Sequence, residues 1–455
     1  MKPLDAGQVV GFLLLDLALI VLVARLVGTL FVRLGQPRVV GEIVAGVLLG
    51  PTLLGPALWE GFSAPDWLHC AQSLVAAPAG TVESPTWCVF PAQARSIIGG
   101  IGQVALLLFM FLTGLEVDGD VLKGRLKGIV LVGAGVVVVP MALGLVIGPV
   151  MATEIFKPAE ASDLGFILYI GALMAVTAFP VMVRILQEKG LTLSTMGATG
   201  IAAAAVCTVV MFMTASAAAA LSRGEGVSVL GTKLALSIAY LAAMVFVIRP
   251  LMARAARPYQ ASGKLDSGSF ALIIIMTLGS GYVAHLLGLT VIVGGFMAGL
   301  VLPARKPLFA DMTSRLGEFT ATILLPVFLA FSGLGTDFTM LSTAALGGLG
   351  LFLLGGIVGK WLGGAALARL GGLSWAEGNV LGVLMNCRGL LVLVVALEGV
   401  QANVISGVTQ VGAVMMALIT TAMTGPLFDR FIRSVPADEP QRGAGTAALA
   451  AAGEA

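Results

Sequence analysis

The sequence predicts an all-α polytopic membrane protein with about thirteen transmembrane helices, its N-terminus outside and its C-terminus inside. Three observations lead to this fold class. Of 455 residues, 58% are hydrophobic and only 11% are charged, whereas about 25% of the residues in soluble globular proteins are charged. The apolar residues fall in long segments, and Lys and Arg concentrate in alternate loops. The net charge of +2 is too small to indicate nucleic acid as a partner.

The predicted helices follow from the lengths of the apolar segments. A spanning helix needs about 20 mostly apolar residues. The sequence HLLGLT is interpreted as a tight turn that divides the last apolar run before residue 305 into two helices. The predicted segments are 9–32, 38–57, 98–117, 128–152, 164–186, 195–221, 228–251, 268–286, 289–304, 321–338, 342–368, 375–399 and 405–428.

The orientation follows from the Lys and Arg residues of the short loops, which favour the cytoplasmic side. With the N-terminus outside, the outer loops hold little more than Arg95, Lys157, Arg223 and Lys233. The inner loops hold Arg33, Arg38, Lys123, Arg125, Lys127, Arg184, Lys189, Arg249, Arg254, Arg257, Lys264, Arg305, Lys306, Arg315 and Arg369.

One transmembrane domain, residues 1–434, is expected to include a long extracytoplasmic loop at 58–97. This loop holds Cys70 and Cys88, which can form a disulfide if the loop faces an oxidising compartment. Residues 435–455 are rich in Ala, Gly, Glu and Pro without periodicity. They are expected to form a disordered cytoplasmic tail.

Thirteen helices can be divided into six, a linker helix and six, which makes the two halves inverted repeats. Such repeats place a transport site where discontinuous helices occur at matching positions. The fifth helix of the first half carries AVTAFPVMV, where Pro180 removes a backbone donor. Its counterpart carries LMNCRGLLV, with Gly389 in mid-span. Both are predicted to break; the alternative is that each is only a kinked membrane helix.

Charged residues inside apolar segments are candidates for function because they are costly in a membrane. Lys360 is more than one turn from either end of its helix, and Arg369 is better placed to reach the inner surface, so a functional role is favoured over snorkelling. Arg388 lies within the second break, where it can neutralise helix ends. Glu42 lies about one turn inside the second helix and can support a helix end. An interfacial position is expected for Asp16, His285 and Glu398.

Other function classes find no support in the motifs. The sequence has two histidines and no Cys/His cluster, so neither a metal nor another cofactor is expected. It has no phosphate-binding loop and no arrangement of nucleophile and base, so it is not expected to be an enzyme. A channel, a secondary transporter or a membrane scaffold remains.

Several motifs together resemble one family. GQPRVVGEIVAGVLLGPTLLG (35–55), LLLFMFLTGLEVD (106–118), AVTAFPVMVRILQEKGL (175–191), LPVFLAFSGLGTDF (325–338) and LMNCRGLLVLVV (384–395) occur in the order typical of sodium/proton exchanger-domain proteins. More narrowly, the chain resembles the second monovalent cation:proton antiporter family, over about residues 9–430.

The resemblance implies a homodimer in the plasma membrane, with a core that moves against a dimerisation region. In the core two broken helices cross, here at Thr177, Ala178 and Pro180 and again at Asn386–Gly389. A carboxylate beside the crossing takes a cation or protons. Lys360 corresponds to the lysine that pairs with this carboxylate in electrogenic members.

The sequence departs from the family at the carboxylate itself. Where members carry Asn-Asp or Asp-Asp, this chain has Cys207-Thr208, and no Asp or Glu occurs between Leu191 and Ser222. A glutamate that is common after the second crossing is replaced by Val392. The substrate-binding candidates are therefore Thr177, Ala178, Pro180, Cys207, Thr208 and Asn386, with Lys360 as the proton-coupling group.

Three functions remain open at this point. The first is a solute:proton antiporter for a monovalent cation such as Na⁺ or K⁺. The second is a proton-coupled exporter of an organic or anionic solute, because neutral oxygens beside Lys360 suit a cation poorly. The third is a transport-inactive sensor or scaffold. In the first two, Lys360 can carry the proton, because burial disfavours its charged form.

Overall fold

The computed structural model describes residues 5–54, 89–115, 126–178, 195–224, 227–255, 265–302 and 306–435, together with Met182, Ile185, Leu186 and Leu191. All regular secondary structure in these ranges is helical. Nine of the described helices are long and apolar enough to cross a membrane. The chain is therefore an all-α, multi-pass membrane protein, as its composition predicts.

The helices are numbered here in chain order. The first half contains α1 (Ala6–Arg33), α2 (Arg38–Leu49), α3 (Ala92–Leu115), α4 (Leu126–Met151), α5 (Asp163–Ala175) and α6 (Thr195–Ser222). The linker helix α7 consists of Val227–Ala243, a π-helical segment at Met244–Ile248, and Arg249–Ala255. The second half contains α8 (Ser267–Leu286), α9 (Val291–Val301), α10 (Lys306–Met312, Thr313–Gly317, Thr320–Leu324 and Leu325–Leu334), α11 (Thr343–Leu370), α12 (Trp375–Met385), α13 (Gly389–Gln401) and α14 (Gly407–Ile432).

Polar caps fix several of the helix starts. Asp5 and Gln8 form a reciprocal capping box at the start of α1, and Ser374 and Glu377 form another at the start of α12. Such pairs satisfy amide groups that have no partner within the helix. Between α8 and α9 the chain turns through Gly288, whose φ of 76° favours glycine. The predicted turn in HLLGLT is therefore present.

Two helices begin earlier than the predicted spanning segments. Helix α3 begins at Ala92 rather than at residue 98, so the end of the predicted 58–97 loop is helical. The predicted span at 321–338 agrees with the apolar span at Thr320–Met340, but helix α10 already begins at Lys306. Its first turns carry Asp311, Arg315 and Glu318, and these charges hide a helix from an apolar-window prediction. Cys70, Cys88 and the tail from residue 436 lie outside the described residues.

The helix pairings repeat between the two halves. The α1–α2 pairing of the first half corresponds to α8–α9, α4–α5 to α11–α12, and α5–α6 to α12–α14. Across the halves, α3 packs on α9 and α10 packs on α2, while α4 packs on its own counterpart α11. Two six-helix repeats related by a pseudo-twofold axis pack on each other through such equivalent pairs. The repeat architecture predicted from the sequence is thus present in the packing.

Glycines bring the paired helices into close contact. A Cβ on Gly363 of α11 would lie 2.6 Å from the carbonyl oxygen of Gly135 on α4. A Cβ on Gly46 of α2 would lie 2.6 Å from Cα of Ala330 on α10. Membrane helices associate through such small-residue contacts because lipid provides no hydrophobic driving force between them. The contact of α4 with α11 also fixes the helix that carries Lys360.

Candidate functional site

Two broken helices meet in the middle of the protein. Helix α5 ends at Ala175 and continues as non-helical chain through Thr177 and Ala178, while α12 ends at Met385 and α13 begins at Gly389, after three intervening residues. The Ala178 amide donates a hydrogen bond of 2.7 Å to the carbonyl oxygen of Cys387. The two breaks therefore contact each other through the backbone, and the crossing predicted from the sequence is present.

The carbonyl end of α5 is bound by two buried cations. The carbonyls at a helix end have no partner within the helix, and leaving them unsatisfied in a membrane is costly. Arg388 Nη1 donates to the carbonyl oxygens of Leu173 (3.0 Å), Met174 and Val176 (3.4 Å). Lys360 Nζ donates to the carbonyl oxygen of Ala175. Positive charge is also favoured here by the helix dipole.

Arg388 joins three helices at the crossing. Its side chain is fully buried, and its Nη2 donates a 2.6 Å hydrogen bond to the carbonyl oxygen of Gly356 on α11. The residue itself lies immediately before α13, while its other acceptors belong to the end of α5. Arg388 therefore fixes the relative positions of α5, α11 and α13.

Lys360 and Cys207 bind a single carbonyl oxygen, that of Ala175, and Thr177 lies beside Cys207. Lys360 is fully buried on α11. Cys207 Sγ on α6 donates to the same Ala175 oxygen at 3.5 Å, and it lies 3.6 Å from Thr177 Oγ1. Cys207, which the motif resemblance predicts in place of an acidic residue, thus shares its acceptor with the lysine. Its thiol supplies no formal negative charge to balance the ammonium.

The other polar side chains that the structure describes at the crossing are neutral. Thr208 is buried, and its hydroxyl donates to the Ala204 carbonyl of its own helix at 2.9 Å. Asn386 is 2% exposed, and its Oδ1 has no hydrogen-bond partner among the described residues. The hydroxyl of Thr177 and the amide oxygen of Asn386 are therefore available oxygen ligands. Helix α6 contributes no carboxylate, because it has no Asp or Glu.

The second break depends on a residue that sequence reasoning missed. Gly389 has a φ of 39°, and its amide donates to Thr421 Oγ1 on α14 at 3.1 Å. Thr421 is buried. Its hydroxyl thus binds one of the amide groups that has no partner within α13. The available signal was the TTAMT sequence, which places three threonines on one apolar helix.

Comparison with known proteins identifies the family. Residues 18–432 match the family described as "Sodium/hydrogen exchanger, transmembrane". The chain belongs to the sodium/hydrogen exchanger family. This result confirms the resemblance inferred from the motifs.

The relatives of this exchanger-family chain include bacterial, plant and yeast proteins. The chain is 33% identical over 419 residues to the Na(+)/H(+) antiporter NhaS4 of Synechocystis sp., and the match covers 91% of this chain and 96% of that protein. Cation/H(+) antiporter 19 of Arabidopsis thaliana is 29% identical and K(+)/H(+) antiporter 1 of Saccharomyces cerevisiae is 28% identical. The chain spans about half the length of these two, 50% and 46%.

A solved structure shares the exchanger fold. The sodium proton antiporter MjNhaP1 from Methanocaldococcus jannaschii superimposes with a TM-score of 0.63. The match covers 93% of this chain and 99% of that chain at 15% identity. At this level of identity the similarity establishes the fold alone.

The remaining sequence-predicted residues of this exchanger-family chain lie elsewhere or outside the described ranges. Glu42 is buried, and its Cγ lies 3.5 Å from where a Cβ on Gly28 of α1 would be. This places it in the α1–α2 packing, and its role in supporting the crossing stays a prediction. Pro180, Cys70 and Cys88 lie outside the described residues. Asp16, which the sequence predicts at the membrane interface, is fully buried inside the protein.

The exchanger fold also contains a cavity of about 630 Å³ at the end of α5, α6 and α13. It lies on the side where α5 begins, which is outside in the predicted orientation. Among the described residues that line it are Tyr169, Thr290 and Glu398. Sequence reasoning assigned Glu398 to the membrane interface and missed this position, since no local motif indicates a cavity.

Proposed function

We propose that the chain is a secondary active transporter of the plasma membrane that exchanges protons for a monovalent cation such as Na⁺ or K⁺. The observation that carries the proposal is the fully buried Lys360 bound to the carbonyl end of a broken helix at the crossing. The names of the relatives, which are Na⁺/H⁺, K⁺/H⁺ and cation/H⁺ antiporters, support the same function.

Lys360 is the group that couples transport to protons in this proposal. A buried ammonium with no carboxylate beside it is disfavoured relative to the neutral amine. Among the described residues, its only hydrogen-bond acceptor is the Ala175 carbonyl, to which the Cys207 thiol also donates. Release of the proton therefore leaves Ala175 with a donor. Lys360 can gain a proton on one side of the membrane and lose it on the other without leaving the Ala175 carbonyl unsatisfied.

A second function is favoured by the charges at the crossing. Lys360 and Arg388 are both buried there, and α6 lacks the acidic pair. Thr177, Thr208 and Asn386 offer neutral oxygens, which suit an anion or a polar organic solute beside two cations. A proton-coupled exporter of such a solute on the same scaffold is the alternative to cation exchange. A transport-inactive sensor is the third candidate, and it would move no solute at all.

The assembly is also a proposal. The family resemblance implies a homodimer embedded in lipid, in which the core carrying α5, α6, α12 and α13 moves against the rest. Residues 1–434 form the transport domain in this proposal, with 435–455 as a cytoplasmic tail.

A flux screen distinguishes the candidates. The full chain is reconstituted in liposomes with a pH-sensitive dye inside, and Na⁺, K⁺ or organic and inorganic anions are added outside. Cation exchange predicts proton efflux or influx with Na⁺ or K⁺. Proton flux that responds to an anion but not to Na⁺ or K⁺ supports the exporter. Absence of proton flux with every solute supports the sensor.

A paired substitution tests the meaning of the missing acids. Cys207→Asn with Thr208→Asp restores the family's acidic pair beside Lys360. If the native chain fails to exchange Na⁺ or K⁺ and the double variant does so, the native substrate is another solute. If both exchange cations, the neutral site is sufficient for cation transport.

A further inference from the structure

The outer cavity contains a single carboxylate among the described residues that line it, that of Glu398. The cavity lies between α5, α6 and α13 on one side and the turn joining α8 to α9 on the other. Along α6, Ala215 in its wall is eight residues from Cys207, which corresponds to about 12 Å. The cavity thus lies on the route from the outer surface to the crossing.

Glu398 is held in the cavity wall without a compensating partner. It lies within the apolar helix α13, and its carboxylate forms no hydrogen bond or ion pair with another described residue. An ionisable side chain within an apolar membrane helix is costly and is therefore a candidate for function. The structure thus places an acidic group near the transport route, although none occurs on α6.

The packing of α13 against α5 directs Glu398 into the cavity. Tyr169 Oη donates a 2.6 Å hydrogen bond to the Val395 carbonyl oxygen, one turn before Glu398. A Cβ on Gly399 would lie 2.6 Å from Tyr169 Cε1, so only glycine leaves room for the ring. The phenol is occupied by this bond and does not neutralise the carboxylate.

Neutral oxygens accompany the carboxylate. Thr290 is 8% exposed, and its Oγ1 has no hydrogen-bond partner among the described residues. Gln103 and Gln401 also line the cavity and bring amide oxygens. Hard cations prefer such oxygen ligands, and carboxylates most of all.

The basic groups of the cavity lie at its exposed rim. Arg223 and His285 line it, and both are exposed to solvent. Charges in contact with solvent are screened over about 8–10 Å at physiological salt. Glu398 is only partly exposed. The inner part of the cavity therefore favours a cation over an anion.

We infer that Glu398 binds a monovalent cation or a proton in the outer cavity, and that it supplies the negative charge that the crossing lacks. This inference rests on the proposed cation:proton exchange. Because one carboxylate takes either occupant, cation and proton compete there before the solute reaches Lys360.

The test is equilibrium binding of radioactive Na⁺ and Rb⁺ to the purified full chain, compared between native protein and Glu398→Gln. Glutamine keeps the shape of the side chain and removes its charge. We expect the apparent Kd of the variant to rise by about tenfold or more, which corresponds to about 1.4 kcal/mol. Lowering the pH should weaken binding to the native chain but not to the variant. Glu154→Gln, an exposed residue of the α4–α5 loop, is the matched control and should bind as the native chain does.

The outcomes separate this inference from the proposed function. Equal affinity in native and Glu398→Gln proteins of the same elution volume, or no binding of either cation to the native chain, overturns the inference. If the native chain exchanges cations in liposomes while Glu398→Gln binds them normally, the proposed function holds and the inference fails. If Glu398 binds the cations but no flux occurs, the inference holds and the proposed function fails.

Discussion

Two buried cations share the carbonyl end of α5, and they do so unequally. Arg388 donates to three of its carbonyls and to Gly356 on another helix. Among the described residues, Lys360 donates only to Ala175, and the Cys207 thiol donates to the same oxygen. A group with four acceptors is suited to holding helices together. A group with one shared acceptor is suited to changing its protonation state.

We expect Arg388→Met to destabilise the protein far more than Lys360→Met. The first substitution leaves several buried carbonyls unsatisfied, at about 1–3 kcal/mol each, whereas the second leaves Ala175 with its thiol donor. The measurement is thermal unfolding of the detergent-solubilised chain. Arg430→Met, at an exposed position, is the control. Equal losses of stability in the Arg388 and Lys360 variants would contradict this division of roles.

At the scale of single elements, the contact between α4 and α11 places Lys360. Gly363 lies three residues after Lys360 on α11 and contacts Gly135 of α4. Because these helices are each other's counterparts in the repeat, their contact lies on the pseudo-twofold axis. A side chain inserted here would move the lysine relative to α5.

We expect Gly363→Leu to lower both the unfolding temperature and proton flux. Overpacking typically costs about 1–3 kcal/mol, and the displaced α11 would no longer bring Nζ to the Ala175 oxygen. Gly350→Leu on the same helix is the matched control, since a Cβ there meets no atom within 4 Å. A stable, fully active Gly363→Leu variant would show that the close contact does not position Lys360.

The elements differ in how far their sequences predict them. Both breaks were predictable, because NCRG interrupts one apolar run and Pro180 the other. The start of α10 was not, because Arg315 and Glu318 lower its apolar character. The role of Thr421 and the cavity position of Glu398 depend on contacts between helices that are distant in sequence. A motif within a single segment of the sequence gives no signal for contacts between distant segments.

In the molecule as a whole, the two halves pack on each other through equivalent pairs of helices. The α3–α9 and α2–α10 pairs are equivalent under the repeat. If every helix spans the membrane, seven helices separate equivalent positions, so the halves have opposite orientations. The crossing then offers equivalent half-helix ends towards both sides, which suits alternating access.

The orientation predicted from loop charges can be tested with matched cysteines. Ser342, before α11, and Ser314, in α10, are both exposed. In a background with Cys70→Ser and Cys88→Ser, we expect Ser342→Cys to react with an impermeant thiol reagent on intact cells. Ser314→Cys should react only after permeabilisation. The opposite pattern would reverse the orientation and place the Glu398 cavity inside.

We propose that Lys360 couples solute movement to protons at a crossing whose described residues include no carboxylate. Cation-driven proton flux in liposomes, compared between the native chain and Lys360→Ala, tests it most directly, with Lys233→Ala as the control lysine. We expect Na⁺- or K⁺-dependent proton flux in the native and Lys233→Ala proteins. In Lys360→Ala we expect the rate of this flux to fall at least about tenfold, which corresponds to about 1.4 kcal/mol. Robust flux that survives Lys360→Ala in a folded protein would contradict it.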